Sequence, residues 1–217
     1  MGMGVGVREA IAKRAAEEIK DGMVVNLGIG IPTLVANYIS PNVNVMFHAE
    51  NGVLGTGPSP LKGEEDANLC NAGGIPITVA PGASYFDSTL AFGIIRRGLL
   101  DVTILGAFEV SESGDLANWI VPGKIVSGMG GAVDLAQKAK KVIVLMNHTD
   151  KHGNPKIVQK CTLPLTAEKC VNLIITDMAV IEVTEQGLSL IEVKDPYTVE
   201  DVINATGAEL HVPDHVK

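Results

Sequence analysis

The chain has 217 residues, 46% of them hydrophobic and 19% charged, so it is long enough for one sizeable core and too apolar to be disordered. Its formal net charge of −8 speaks against nucleic acid and anionic membrane surfaces as partners. No stretch approaches the ~18 consecutive apolar residues of a membrane span.

The opening MGMGVGVREAIAKRAAEEIK has no apolar leader core, which makes the cytoplasm the expected location. Gly2 suggests myristoylation, but Gly6 stands where that signal wants Ser or Thr. Val7, Ile11, Ala15 and Ile19 recur every fourth residue and predict an amphipathic helix closed at Asp21-Gly22. MVVNLGIG at 23–30 reads as a buried strand, and Pro32 and Thr33 open a second helix through TLVANYI. VNVMFHAE at 43–50 is the next strand.

After it the signals conflict. Asn51-Gly52 is a strong hairpin signal, yet the second arm, VLGTGPSP, holds two glycines and two prolines and makes a poor strand. Residues 51–60 are therefore expected to form a loop leaving the carboxyl end of a strand, the edge where open α/β sheets bind ligands. Further on come a strand at 77–80, a helix at 84–98 capped by Ser84 or Asp87, and a strand at 101–107. An irregular or hairpin excursion around Trp119 fills 108–127, before a helix at 132–140 and a strand at 141–147. Beyond His148 the pattern is mostly strands, KIVQK, VNLIITD and AVIEVTEQGLSLIEV, with Gln186-Gly187 as a turn and a last helix at 198–207 capped by Thr198. The prediction is one α/β domain over 1–217, with a largely parallel central sheet flanked by helices and a more antiparallel C-terminal portion.

Glu50 ends its strand before backbone that is nearly bare, and two chemical roles compete for it. Gly28-Ile29-Gly30 follows a strand, and Glu50 lies 22 residues after Gly28, a spacing that suits an acid meeting the ribose of a bound nucleotide. Against this, Thr33 holds the third glycine position and Pro32 occupies the phosphate-facing turn. The other role is nucleophile. A carboxylate can exchange with another carboxylate in a thioester at little thermodynamic cost, provided that a bulky acyl-CoA can reach it and donors await the oxyanion. Glycine backbone supplies both space and closely approaching amides, and Gly28–Gly30 and Gly128-Met129-Gly130-Gly131 are the candidate segments.

Other features are blander. His148 and His152 fall in a turn-like HTDKHGNP, so no metal site is expected. Glu64-Glu65-Asp66 reads as a solvated loop, Arg96-Arg97 as a helix end facing water, and Trp119 as packing. Ser127 and His148 form no recognisable triad with the aspartates. Cys70, Cys161 and Cys170, odd in number and without CxxC spacing, fit reduced structural thiols.

VNLGIGIPT, HAENGVLGTGP, GDLANWIVPGK and GMGGAVDL, in this order, resemble the beta subunit of two-subunit 3-oxoacid CoA-transferases, and equally the C-terminal half of the single-chain succinyl-CoA:3-oxoacid enzymes. The match runs over residues 7–208. The resemblance implies a covalent glutamyl-CoA thioester on Glu50, an asparagine near the reacting carboxylate at Asn26, and an oxyanion-binding amide at Gly131. Gly28, Gly30, Asn51, Gly52 and Gly130 are the expected backbone around the coenzyme A thioester, which enters as substrate; no metal or other cofactor is implied. An alpha subunit is the implied partner and supplies a second oxyanion contact. Three positions depart from the family pattern: Ala49 replaces a serine, Val133 a methionine, and Gly74 the lysine of succinyl-type members. The last favours acetate, butyrate and acetoacetate chemistry over succinyl-CoA.

Overall fold

A computed structural model of the protein describes residues 4–123, 126 and 128–216. Gly2 and Ser127, weighed above, lie outside these residues. The first half comprises α1 (Val5–Ala16), β1 (Val24–Leu27), α2 (Ile31–Leu34), β2 (Met46–Ala49), β3 (Val53–Thr56), β4 (Val79–Tyr85), α3 (Ser88–Arg96) and β5 (Val102–Gly106). The second comprises β6 (Glu109–Ser111), β7 (Leu116–Ala117), α4 (Ala132–Lys138), β8 (Lys141–Leu145), β9 (Ile157–Val158), β10 (Leu173–Ile175), β11 (Ala179–Thr184), β12 (Gly187–Val193), α5 (Val199–Ala205) and β13 (Leu210–His211).

Among the described residues ten strands share one sheet, and its centre, in spatial order β2-β1-β5-β8-β10, is parallel throughout. The expected antiparallel C-terminal portion is present as β11 and β12 beyond β10. A second antiparallel flank, β3 and β4 beyond β2, was not expected. Strand order reverses at β1: β2 lies on one side of it and β5, the next parallel strand, on the other. Connections leave in opposite directions there, which opens a crevice at the carboxyl ends.

The central strands are buried on both faces, as a parallel sheet requires. On β5 and β8, Val102, Ile104, Ile143 and Leu145 face a cluster with Ile11, Ala12 and Ala15 of α1. The alternate residues Leu105, Val142 and Val144 face the other side, with Ile95 of α3, Leu135 of α4 and Val202 of α5. Among the described residues no helix is long and apolar enough to cross a membrane.

Several boundaries move from their expected places. The first helix ends at Ala16, and Ile19 stays buried from the turn that follows, so the fourfold burial pattern outlasts the helix itself. The second helix shrinks to one turn at Ile31–Leu34, followed by 3-10 geometry at Val35–Tyr38. β4 takes in Ser84 and Tyr85, leaving Asp87 to cap α3 by accepting from the Leu90 amide at 2.9 Å. The β11–β12 turn falls at 185–186, with Gly187 already paired to Thr184.

The main correction concerns 51–60. Residues Val53–Thr56 form β3, antiparallel to β2 with Ala49 opposite Val53, so the hairpin exists where a loop was expected. The glycines that argued against it are used structurally. Gly52, at φ +116°, closes the turn by donating to the Ala49 carbonyl at 3.0 Å, and Gly55 sits where the β3–β4 register shifts. Both prolines, Pro58 and Pro60, fall past the strand's end, so no ladder bond is lost to them.

Candidate active site

The hairpin puts Glu50 at the first position of a three-residue loop, directly at the carboxyl end of β2. Beneath it runs a row of polar side chains on one face of three neighbouring strands. Asn26 of β1 is in register with His48 of β2 on one side and Thr103 of β5 on the other. All three are buried, which is an unusual density of polar groups for a parallel core. Asn26 Nδ2 donates to the Glu50 Oε2 at 3.0 Å and to the His48 carbonyl at 3.1 Å. Thr103 Oγ1 donates to Asn26 Oδ1 at 3.4 Å, which orients the amide so that its NH2 faces the carboxylate.

The His48 ring stacks on Phe86 with centroids 6.4 Å apart, and neither ring nitrogen reaches a hydrogen-bond partner among the described residues. Burial pushes its pKa down, and the nearby Glu50 charge opposes this without reversing it. A neutral imidazole therefore backs the carboxylate.

Gly131 caps α4 and closes the site from the opposite side. A Cβ built there would lie 3.2 Å from two Phe92 ring carbons and 3.5 Å from Glu50 Cγ. The missing side chain is what leaves room beside the carboxylate. Glu50, Gly28, Gly30, Gly130 and Gly131 all border one open cavity of about 710 Å3 at the carboxyl ends of β1, β2, β5 and β8. That size suits a small-molecule ligand. Asn26 supports it from below, in contact with Glu50.

Asn51 and Gly52 do not border this cavity. Asn51 Nδ2 donates to the Cys70 carbonyl at 2.8 Å, and a side chain at Gly52 would run into the Phe86 carbonyl oxygen. Both hold the hairpin in place. Gly28 borders the cavity, but its N–H is spent on the Ile104 carbonyl at 2.8 Å. The nucleotide alternative loses its main support: the helix after Gly30 is a single turn with Pro32 buried in it, too short to offer a phosphate-binding end.

His148 is fully buried, its Nδ1 3.0 Å from Thr176 Oγ1 and its Nε2 2.9 Å from Thr206 Oγ1. Arg96 is paired with Asp134 at 2.8 Å and lies over the Phe92 ring, outside the cavity lining. Trp119 Nε1 donates to the Leu165 carbonyl at 3.2 Å. Burial raises the Cys161 and Cys170 thiols to about 12, which keeps them protonated. Two cavity residues had no sequence signal: Lys156, hidden in a strand-like KIVQK, and Asn118, beside Trp119.

A family profile described as Coenzyme A transferase matches residues 8–205. The chain is 61% identical over 212 residues to the beta subunit of a probable coenzyme A transferase of Bacillus subtilis (strain 168), covering 98% of each. It is 52% identical over 206 residues to the B subunit of the succinyl-CoA:3-ketoacid coenzyme A transferase of Helicobacter pylori (strain ATCC 700392 / 26695), covering 95% of this chain and 99% of that one. A solved acyl-CoA transferase apoenzyme from Escherichia coli O157:H7 shares the fold, with a TM-score of 0.78 at 22% identity over 100% of this chain and 44% of that chain.

Proposed function

The chain belongs to the coenzyme A transferase family, and on that premise we propose that it transfers coenzyme A to a carboxylic acid through a thioester on Glu50. The observation that carries this reading is the Glu50 carboxylate, held by the Asn26 amide at 3.0 Å on the rim of a cavity kept clear by Gly131. Glu50 attacks the acyl-CoA carbonyl and expels the thiolate, leaving a mixed anhydride. The thiolate then attacks the glutamyl carbonyl and releases the first acid, which leaves coenzyme A on Glu50. An acceptor carboxylate runs the same steps backward. Each addition places negative charge on a carbonyl oxygen, and the Gly131 amide is the donor assigned to it. Contacts to the remote part of coenzyme A lower the barrier at the reacting carbon.

Both relatives are named as one component of a larger enzyme, a beta or a B subunit, and this supports an alpha subunit as partner. That partner completes the acyl pocket and adds the remaining oxyanion donor. The acceptor is a short 3-oxoacid such as acetoacetate, and Gly74 in place of lysine favours acetate or butyrate as its exchange partner over succinate. The scheme calls on no metal or nicotinamide; the net charge of −8 supports a cytoplasmic enzyme without nucleic-acid or membrane partners.

The test is to incubate the chain, co-purified with its alpha subunit, with acyl-CoA and to map adducts by mass spectrometry. A coenzyme A adduct on Glu50 that borohydride reduces is expected. An assembled complex that turns over without it would sink the covalent scheme.

A further inference from the structure

Lysine ammonium groups are rarely buried without an anion beside them. Lys156 is partly buried and makes no direct ion pair among the described residues. It precedes β9, and its Nζ donates to the Ala107 carbonyl at 2.9 Å, just past the end of β5. An ammonium has three donors, and the Ala107 carbonyl takes one. The side chain borders the same cavity as Glu50.

We propose that Lys156 is a specificity residue that receives the far oxygen of the acid substrate, a 3-oxo group or a second carboxylate, while the near carboxylate exchanges on Glu50. This rests on the coenzyme A transfer argued above. Glu50 follows β2 and Ala107 follows β5, two strand spacings away, or roughly 10 Å. A four-carbon acid spans about 4 Å from its carboxyl carbon to a 3-oxo oxygen. With contacts of about 3 Å at each end, it bridges that gap. A plain fatty acid of the same length would leave the cation unsatisfied, and sites built to hydrogen-bond a substrate group discriminate strongly against analogues lacking it.

Burial lowers the Lys156 pKa to about 8, while the charges of Asp177, Asp150 and Glu109 oppose the fall. Among the described residues, Glu50 and Arg8 are the other charged groups on the cavity, and His48 is a further titratable one. Lys156 is therefore cationic at neutral pH and loses its charge within an accessible range.

The experiment uses the complex with the alpha subunit and compares acetoacetate, succinate and butyrate as acceptors. In Lys156→Met the kcat/KM ratio of acetoacetate to butyrate, or of succinate to butyrate, should fall about 10- to 100-fold from its wild-type value, with the loss in KM. Lys156→Arg should keep the ratio. A larger loss for acetoacetate assigns the 3-oxo group, and a larger loss for succinate the second carboxylate. Equal losses for all three acids would make Lys156 structural and overturn the proposal. If Lys156→Met does not assemble, wild-type enzyme decides: the ratio should decline through pH ~8, and a flat ratio overturns the proposal. Absence of a Glu50 adduct in wild type removes the transfer scheme itself, whereas an adduct with unaltered acid preference in Lys156→Met removes only the role of Lys156.

Discussion

Glu50 takes its orientation from one amide group. Asn26 holds it from below, Thr103 fixes which end of that amide faces it, and the buried, neutral His48 adds no competing cation. Asn26→Asp keeps the shape but replaces the donor with a second carboxylate beside the first. Two carboxylates so close cannot both ionise readily, so one pKa rises. Adduct formation at pH 7 should slow by about 100-fold, and the acid limb of its pH profile should move up by about one unit or more. Single-turnover mass spectrometry across pH 4–9 measures both, and an unmoved limb would refute the arrangement. Ala49 is a separate matter: its methyl packs with Val53 and Ile77, so a serine there would bury a hydroxyl in an apolar cluster.

At the scale of elements, the β2–β3 hairpin is the device that presents Glu50. Its tight approach to the Phe86 carbonyl sets where the turn lies. Gly52→Ala should destabilise the protein by about 2–4 kcal/mol, through strained φ and a backbone collision. Gly63, at φ +91° with open space around it, provides the control: Gly63→Ala adds the strain without the collision. Urea midpoints of the two variants compare these contributions, and equal losses would mean that the approach to Phe86 does not matter. The sequence made this hairpin hard to read because glycine and proline count against strands on average. Here the glycines occupy the turn and a register shift, and the prolines lie beyond the last paired residue. Local composition does not reveal which of these positions a glycine will take. Helix α5 is the opposite case: Thr198 and Asp201 form a reciprocal cap, and Thr198 was legible as its cap because capping is a contact over three residues.

Across the molecule, His148 ties the ends of three elements together. Thr206, just after α5, donates its hydroxyl to the Val202 carbonyl and so accepts from His148 Nε2. Thr176, after β10, accepts from the Met178 and Ala179 amides, and its hydroxyl lies 3.2 Å from the Ala179 carbonyl and 3.0 Å from His148 Nδ1. Burial lowers the His148 pKa to about 4, so the ring is neutral at pH 7. The unfolded chain takes up its proton near pH 6.5, before the folded protein does. Stability from this group is therefore complete above ~6.5 and drains away as pH falls toward 4, by about 3 kcal/mol in all. Urea unfolding at pH 7, 5.5 and 4.5 should show that decline in wild type and a flatter one in His148→Gln. The same decline in both would assign the acid sensitivity elsewhere.

The sequence by itself determined the class of fold and the identity of the nucleophile candidate. Alternation of apolar runs and fourfold patterns is local, and the segment around Glu50 reads directly against the resembling transferases. Only the tertiary structure decided which strands are neighbours. The order β2-β1-β5-β8 sets Glu50 above the His48–Asn26–Thr103 row, brings Gly131 of α4 against it, and turns Lys156 into the shared cavity. No local pattern encodes this, because strand order and the placement of one lysine depend on contacts between residues far apart in the chain. The bond from Lys156 to Ala107, across 49 positions, is one such contact.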